Sequence, residues 1–117
     1  MFGSNYNHGF TMTFKNGITI SVQFGPGNYC ERRGATVSYR GDMDGATPIV
    51  KSSTAEIAIW DENDENGEWF NFGSDTVKGW VEAEEVGTWI ILCTAATSLF
   101  DLKTRATGVG LIEKVEA

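Results

Sequence analysis

One stretch decides the fold: residues 10–24 read Phe-Thr-Met-Thr-Phe-Lys-Asn-Gly-Ile-Thr-Ile-Ser-Val-Gln-Phe. Apolar and polar side chains alternate on both sides of Asn16-Gly17, which is the period of a half-buried β-strand. Asn-Gly tolerates positive φ angles and is the strongest short hairpin signal. The stretch therefore predicts a β-hairpin with one apolar face, formed by Phe10, Met12, Phe14, Ile18, Ile20, Val22 and Phe24.

Further segments extend this hairpin into a sheet. Residues 54–60 alternate and predict a third strand, and residues 68–72 predict a fourth strand after the turn signal Asn66-Gly67. Residues 35–39 are consistent with a short strand. The weak alternation over residues 107–115 is consistent with a final strand at an edge of the sheet.

A helix is predicted for about residues 82–98. Glutamates at positions 82, 84 and 85 favour its positive N-terminus, and apolar residues recur at helical spacing from Val86 to Ala96. We therefore expect an α+β fold, a hairpin-rich antiparallel sheet of about four to six strands with this one helix packed on one face. The 117 residues fit a single domain. Residues 1–9 are expected to be flexible or to form an irregular lead-in strand.

Charge is unevenly distributed along the chain, whose net charge is −7. Residues 1–51 contain five basic and three acidic side chains, whereas residues 52–117 contain four basic and thirteen acidic ones. A protein that binds nucleic acid directly needs a basic face, so this class is disfavoured. No apolar run reaches the roughly 18 residues of a membrane helix, and we expect a cytoplasmic protein with no membrane association.

The two cysteines, Cys30 and Cys93, have no metal-ligand spacing and are expected to be structural or free thiols. His8 is the sole histidine, so neither a catalytic triad nor a zinc site is complete. Neither the Walker pattern nor the dinucleotide-binding glycine pattern is present. The sequence therefore predicts a protein that is not an enzyme and needs no cofactor or metal.

The loop after the hairpin, residues 24–33, is a candidate ligand site. Its glycines allow close approach of the backbone to a ligand. Asn28 and Tyr29 can hydrogen-bond or stack, and Arg32 and Arg33 can hold a carboxylate or phosphate in bidentate fashion. The alternative interpretation is a structural turn in which Tyr29 and Cys30 fill the edge of the core.

The acidic run at residues 61–68 is a candidate partner site through Asp61, Glu62, Asp64 and Glu65. These carboxylates would attract a basic protein surface, although a solvated hairpin tip is the simpler interpretation. The run does not match a calcium-binding loop, because the glycine and glutamate that such a loop requires at its sixth and twelfth positions are missing.

Two tryptophans, Trp60 and Trp69, flank this acidic run and are expected to pair across the strands. If the face that carries them is bare, it is a candidate interface, and a homodimer is the commonest use of such a face.

Several segments resemble a group of small proteins of bacteriophages and phage-rich metagenomes. They are residues 14–17, 21–30, 53–58, 77–81 and 84–86, and the most specific is the loop Gly-Pro-Gly-Asn-Tyr-Cys at 25–30. The likeness spans roughly residues 10–95, whereas Gly87-Thr88 and the extension from Leu99 depart from it. The resemblance implies a phage setting, and it assigns no role to any residue.

Three hypotheses about function follow. The first is a non-catalytic phage protein that binds a host protein in the cytoplasm of an infected bacterium, such as a host-defence component (an anti-CRISPR activity is one form of this). The second is a protein that sequesters a small anion or nucleotide at residues 25–33. The third is a structural or virion accessory protein.

Overall fold

The computed structural model describes residues 1–5, 8–25, 28–31 and 51–113. Within these residues, five strands form one antiparallel sheet in chain order. The strands are β1 (Phe2–Ser4), β2 (Gly9–Thr13), β3 (Ile18–Gln23), β4 (Thr54–Asp61) and β5 (Val77–Glu82), and the helices are α1 (Ala83–Ala95) and α2 (Leu99–Gly108). The expected α+β class with a hairpin-rich antiparallel sheet is confirmed.

The β2–β3 hairpin has the expected register, with Met12 opposite Ile20. The turn closes through a hydrogen bond of 3.0 Å from the Phe14 amide to the Ile18 carbonyl. Gly17 has a φ of 89°, a conformation that glycine adopts without steric cost. The apolar face predicted from the alternation contributes Ile18, Ile20 and Val22 to the core.

Helix α1 packs across β3, β4 and β5 and encloses the core against one face of the sheet. Its Trp89 is fully buried, and the rings of Phe70 and Phe72 meet it edge-on at centroid distances of 5.7 and 5.1 Å. The Trp89 indole N–H donates to Glu85, which also forms an ion pair of 3.1 Å with Lys78. Truncating an aromatic residue in such a position costs about 3–5 kcal/mol of stability.

The hairpin turn and the end of α1 are joined by one side chain, that of Asn16. Its Nδ2 donates to the carbonyls of Cys93 and Ala96 at 2.7 and 2.8 Å, and its Oδ1 accepts from the Ile18 amide at 2.9 Å. The last carbonyls of a helix have no partner within the helix. Asn16 therefore satisfies one of these carbonyls, that of Cys93, together with the Ala96 carbonyl just beyond the helix, and it joins α1 to the hairpin turn.

The helix predicted for residues 82–98 is present as α1, which ends at Ala95. Helix α2 was not predicted, and the described part of residues 107–115, for which a final edge strand was considered, forms the end of α2 and turns instead. The Ser98 hydroxyl accepts from the Asp101 amide at 3.0 Å, which starts the new helix. The Arg105 guanidinium hydrogen-bonds the Asp101 carboxylate and lowers its pKa. After α2, residues 109–113 form turns and bends, and the rest of the tail lies outside the described residues.

The predicted strand at residues 68–72 was also wrong, because the neighbouring position in the sheet belongs to β5. Strand β5 pairs with β4 from Thr54 to Ala58. Ile59 and Trp60 therefore have no partner on β5. The segment that follows the acidic run pairs with β4 through a single bridge from Trp69 to Trp60. Strand β5 itself was missed by the sequence reasoning, which placed Val77 in the approach to the helix.

The lead-in strand expected within residues 1–9 is β1, which pairs with β2 through Gly3 opposite Thr11. The strand expected at residues 35–39 lies outside the described residues. No helix in the described part of the chain has the length and apolarity to cross a membrane.

Candidate functional site

The acidic run forms the tip where the chain leaves β4 and returns to Trp69. Two of its carboxylates shape the turns: Asp61 Oδ1 accepts from the Asn63 amide at 2.9 Å, and Asp64 Oδ1 accepts from the Asn66 amide at 3.0 Å. Aspartate stabilises turns by such bonds to the backbone two residues on. Asp61 and Asp64 therefore hold the tip in shape as well as contributing charge.

The glutamates of the tip project into solvent. Glu62, Glu65 and Glu68 are exposed. Glu62 accepts a hydrogen bond of 2.7 Å from the Trp60 indole N–H, whereas the described residues give Glu65 and Glu68 no hydrogen bond or ion pair. With the two aspartates, five carboxylates lie within residues 61–68, and this stretch contains no basic residue. The tip is therefore a local concentration of negative potential.

An aromatic pair lies at the base of the tip. The Trp60 and Trp69 rings stack with centroids 5.2 Å apart and an interplanar angle of 23°, as the sequence predicted. Trp69 is 47% exposed. An indole face beside carboxylates suits a guanidinium group, which can stack on the ring while it pairs with an acid. We call the surface formed by Trp60, Trp69 and residues 61–68 the acidic–aromatic tip.

The described half of the predicted ligand loop is held by a glutamate on β4. Glu56 accepts from the Tyr29 amide at 2.7 Å and from the Asn28 carboxamide at 3.4 Å. Asn28 Oδ1 in turn accepts from the Gly25 amide at 2.9 Å. The Asn28 side chain is therefore engaged within the fold. A second carboxylate, that of Glu31, lies three residues further along the chain and accepts from the Ser53 hydroxyl. The negative charges of Glu56 and Glu31 weigh against an anion at this place.

The two arginines predicted to grip an anion, Arg32 and Arg33, lie outside the described residues. Anion binding by Asn28, Tyr29, Arg32 and Arg33 therefore stays a prediction.

A β-bulge, which the sequence reasoning missed, positions Tyr29. Gly79 and Trp80 of β5 together face Glu56 alone on β4. Trp80 has a φ of 52°, is 58% exposed, and donates its amide to the Tyr29 carbonyl at 2.8 Å. Bulges redirect side chains, and here the Trp80 ring lies 5.6 Å from that of Tyr29. A sequence signal for this bulge was the Gly79-Trp80 pair, which interrupts the alternation of β5.

Among the described residues, the two predicted sets are not brought together. Asn28 and Tyr29 lie at Glu56, and the acidic–aromatic tip begins at Trp60, four residues further along β4. At about 3.3 Å per residue this separation is about 13 Å along the strand. The acidic–aromatic tip is therefore separate from the described part of the loop.

The thiols are buried and do not form a catalytic arrangement in the described part of the chain. Cys30 and Cys93 are both free and buried, and burial raises the pKa of the Cys93 thiol to about 12. Cys30 Sγ lies 3.6 Å from the Gly25 carbonyl, and no hydrogen bond to His8 is formed. Among the described residues, no group of three or more His, Cys, Asp or Glu side chains is arranged to hold a metal ion.

Comparisons with protein-family models, with curated proteins and with solved structures gave no match. The function is therefore argued from the geometry of this chain.

Proposed function

We propose that the protein is a non-catalytic binding protein that docks its acidic–aromatic tip on a basic surface of another protein. The observation that carries the proposal is that three exposed glutamates, Glu62, Glu65 and Glu68, lie in the turn that joins Trp60 to its stacked partner Trp69. Charge of one sign on an exposed projection accelerates encounter with a surface of opposite sign. A tryptophan beside these charges adds contact area of the kind that dominates binding energy at interfaces.

The resemblance to phage proteins supports a specific setting for this binding. In this proposal the partner is a host protein in the cytoplasm of an infected bacterium, and a host-defence component, such as a CRISPR effector, is the leading class. Proteins that handle nucleic acid carry basic grooves, and an acidic projection fits such a groove. Occupying the groove would block the nucleic acid without any chemical step.

The test uses a charge-neutralised tip that keeps its shape. Glu62→Gln, Glu65→Gln and Glu68→Gln remove three charges, and they leave the turn-forming Asp61 and Asp64 in place. Glutamine at position 62 also keeps the oxygen that accepts from Trp60. The matched control carries Glu82→Gln, Glu84→Gln and Glu113→Gln, which removes the same charge from exposed positions elsewhere.

Tagged wild type, tip variant and control are expressed in a bacterial host and analysed by native mass spectrometry after purification. We expect a stoichiometric host protein with the wild type and the control, and its loss with the tip variant. The complex of the wild type should also weaken steeply between 50 and 200 mM salt, since contacts between exposed charges are screened. Equal retention by all three proteins would contradict docking through the tip.

The same spectra test the other hypotheses. A small anionic mass bound to the wild type would favour sequestration at residues 25–33. A bare homodimer would favour the structural class, with the exposed aromatic face as its interface.

A further inference from the structure

A cleft of about 320 Å³ opens on the helix side of the sheet, beside the first turns of α1. Helix α1 packs across β3, β4 and β5, and the cleft lies between its first turns and residues of four strands, Phe10, Val22, Ala55 and Val81. Its walls are apolar and are formed mainly by Phe10, Val22, Phe24, Val81, Val86 and Ile90. No charged side chain occurs among the described residues that line it. The cleft lies on the face of the sheet opposite to the Trp60–Trp69 pair.

A glycine in the wall of this cleft has no packing reason to be there. Gly87 lies within α1 and lines the cleft. A Cβ atom built at Gly87 meets no heavy atom within 4 Å, whereas one built at Gly79 would lie 2.6 Å from the Tyr29 Cβ. Glycine is the least favourable residue in a helix interior apart from proline. Its effect at position 87 is to leave the cleft open beside the helix.

The volume sets the size of an occupant. An apolar cavity of about 150 Å³ holds one benzene molecule, which has six carbon atoms. By the same ratio, about 320 Å³ has room for roughly twelve carbon atoms. This value lies at the lower end of the range of ligand pockets, about 300–1,000 Å³.

The charges near the mouth select the headgroup of the occupant. Ala83 lines the cleft and lies between Glu82 and Glu84, which are both exposed. Another part of the rim is formed by hydroxyl-bearing residues, Ser52 to Thr54. Lys51 precedes this rim, and Glu31 accepts a hydrogen bond from the Ser53 hydroxyl. Three carboxylates therefore stand against one ammonium group and the roughly half positive charge of the helix N-terminus, so the mouth repels a carboxylate. A neutral headgroup meets no such repulsion.

We propose that this cleft binds a neutral alkyl chain of about eight to twelve carbon atoms, inserted between α1 and the β2–β3 hairpin beside Gly87. The site is independent of the acidic–aromatic tip and goes beyond the proposed function.

The test titrates the full-length protein with 1-decanol by isothermal calorimetry and thermal unfolding. We expect saturable binding of one molecule per chain and a rise in Tm. Decanoate at pH 8 has the same chain with a charged headgroup and is expected to bind at least tenfold more weakly. Equal binding of decanol and decanoate would overturn the neutral assignment, and the lack of saturable decanol binding would overturn the site.

Two variants at position 87 locate the binding. Gly87→Leu fills the cleft and should reduce decanol affinity at least tenfold. Ala95→Leu, which places the same side chain at an exposed position of α1, should bind as the wild type does. Gly87→Ala should raise the Tm of the free protein and weaken decanol binding. This variant tests the site even if Gly87→Leu misfolds. Unchanged binding by both Gly87 variants refutes the proposal. A dimer seen by sedimentation that the Gly87 variants abolish would assign the cleft to a second copy and also refute it.

Discussion

The side chain of Asn16 joins the β2–β3 turn to the end of α1, and its removal is expected to destabilise the fold strongly. It makes three hydrogen bonds, one to the Cys93 carbonyl in the last turn of α1, one to the Ala96 carbonyl just beyond α1, and one from the Ile18 amide. Each such bond contributes about 0.5–1.5 kcal/mol net. Asn16→Ala should therefore lower the free energy of unfolding by about 3 kcal/mol, measured by urea denaturation with an unchanged m-value.

Asn16→Asp keeps the volume of the side chain and changes its hydrogen bonding. It therefore distinguishes lost hydrogen bonds from lost packing as the cause of destabilisation. At pH 7 a carboxylate would face two carbonyl oxygens at the negative end of the α1 dipole. This raises the pKa of the new Asp in the folded protein above its unfolded value of about 3.9. The native state then keeps a proton that the unfolded chain releases. Even the protonated carboxyl has one O–H donor where the Asn16 amide has two, so one of the two donated hydrogen bonds is lost at every pH. The loss of unfolding free energy is therefore smallest below pH 4, at about that of one hydrogen bond, and it grows as the pH rises.

The assay compares both variants with wild type in urea between pH 4 and pH 7.5. We expect Asn16→Asp to lose more free energy of unfolding relative to wild type as the pH rises over this interval. The loss for Asn16→Ala should stay nearly constant. An Asn16→Asp deficit independent of pH would refute the argument. So would a loss of less than about 1 kcal/mol for Asn16→Ala, which is less than one typical buried hydrogen bond.

Two further predictions concern packing and burial. Gly79→Ala places a Cβ 2.6 Å from the Tyr29 Cβ and should lower the free energy of unfolding by about 1–3 kcal/mol in urea denaturation. Gly87→Ala has open space around the new Cβ and should raise it by up to about 1 kcal/mol. Equal effects of the two substitutions would contradict the close contact at Gly79. In a Cys30→Ser background, Cys93 should resist thiol reagents at pH 8 until the protein unfolds, because its pKa is raised to about 12 by burial. Since the unfolded thiol ionises near pH 9, stability should also fall as the pH rises above that value; rapid labelling of the native state would contradict the burial.

The sequence predicted those elements in which the periodic pattern of apolar side chains continues without interruption. The alternation around Asn16-Gly17 is intact, so the hairpin and its buried face followed from it. Strand β5 was missed because the bulge at Gly79 and Trp80 breaks its alternation. Helix α2 was missed although Ser98 followed by Asp101 three residues later is a helix-start signal, because α2 buries only Leu102 and Ala106 and so has little apolar periodicity.

The parts of the candidate site that were predictable are those whose residues are close together in the sequence. The acidic run and the pairing of Trp60 with Trp69 span ten residues and were anticipated. The role of Asn28 was not, because its partner Glu56 lies 28 residues away along the chain. Contacts of this kind depend on which strands become neighbours, and the local pattern at residues 24–33 holds no information about that.

The strands of the sheet follow one another in chain order, and the lengths of their connections affect how fast the protein folds. Strands β2 and β3 are joined by the four residues 14–17, whereas thirty residues, 24–53, separate β3 from β4. Closing the longer connection costs about 1.8 kcal/mol more chain entropy, from the logarithm of the ratio of lengths. The β3–β4 pairing joins the N-terminal hairpin to the rest of the sheet, and we expect it to be the slowest strand pairing to form. A cyclically permuted chain with new ends within residues 24–53 would remove this connection, and the assembly of its two halves would then depend on the linker that joins the old termini.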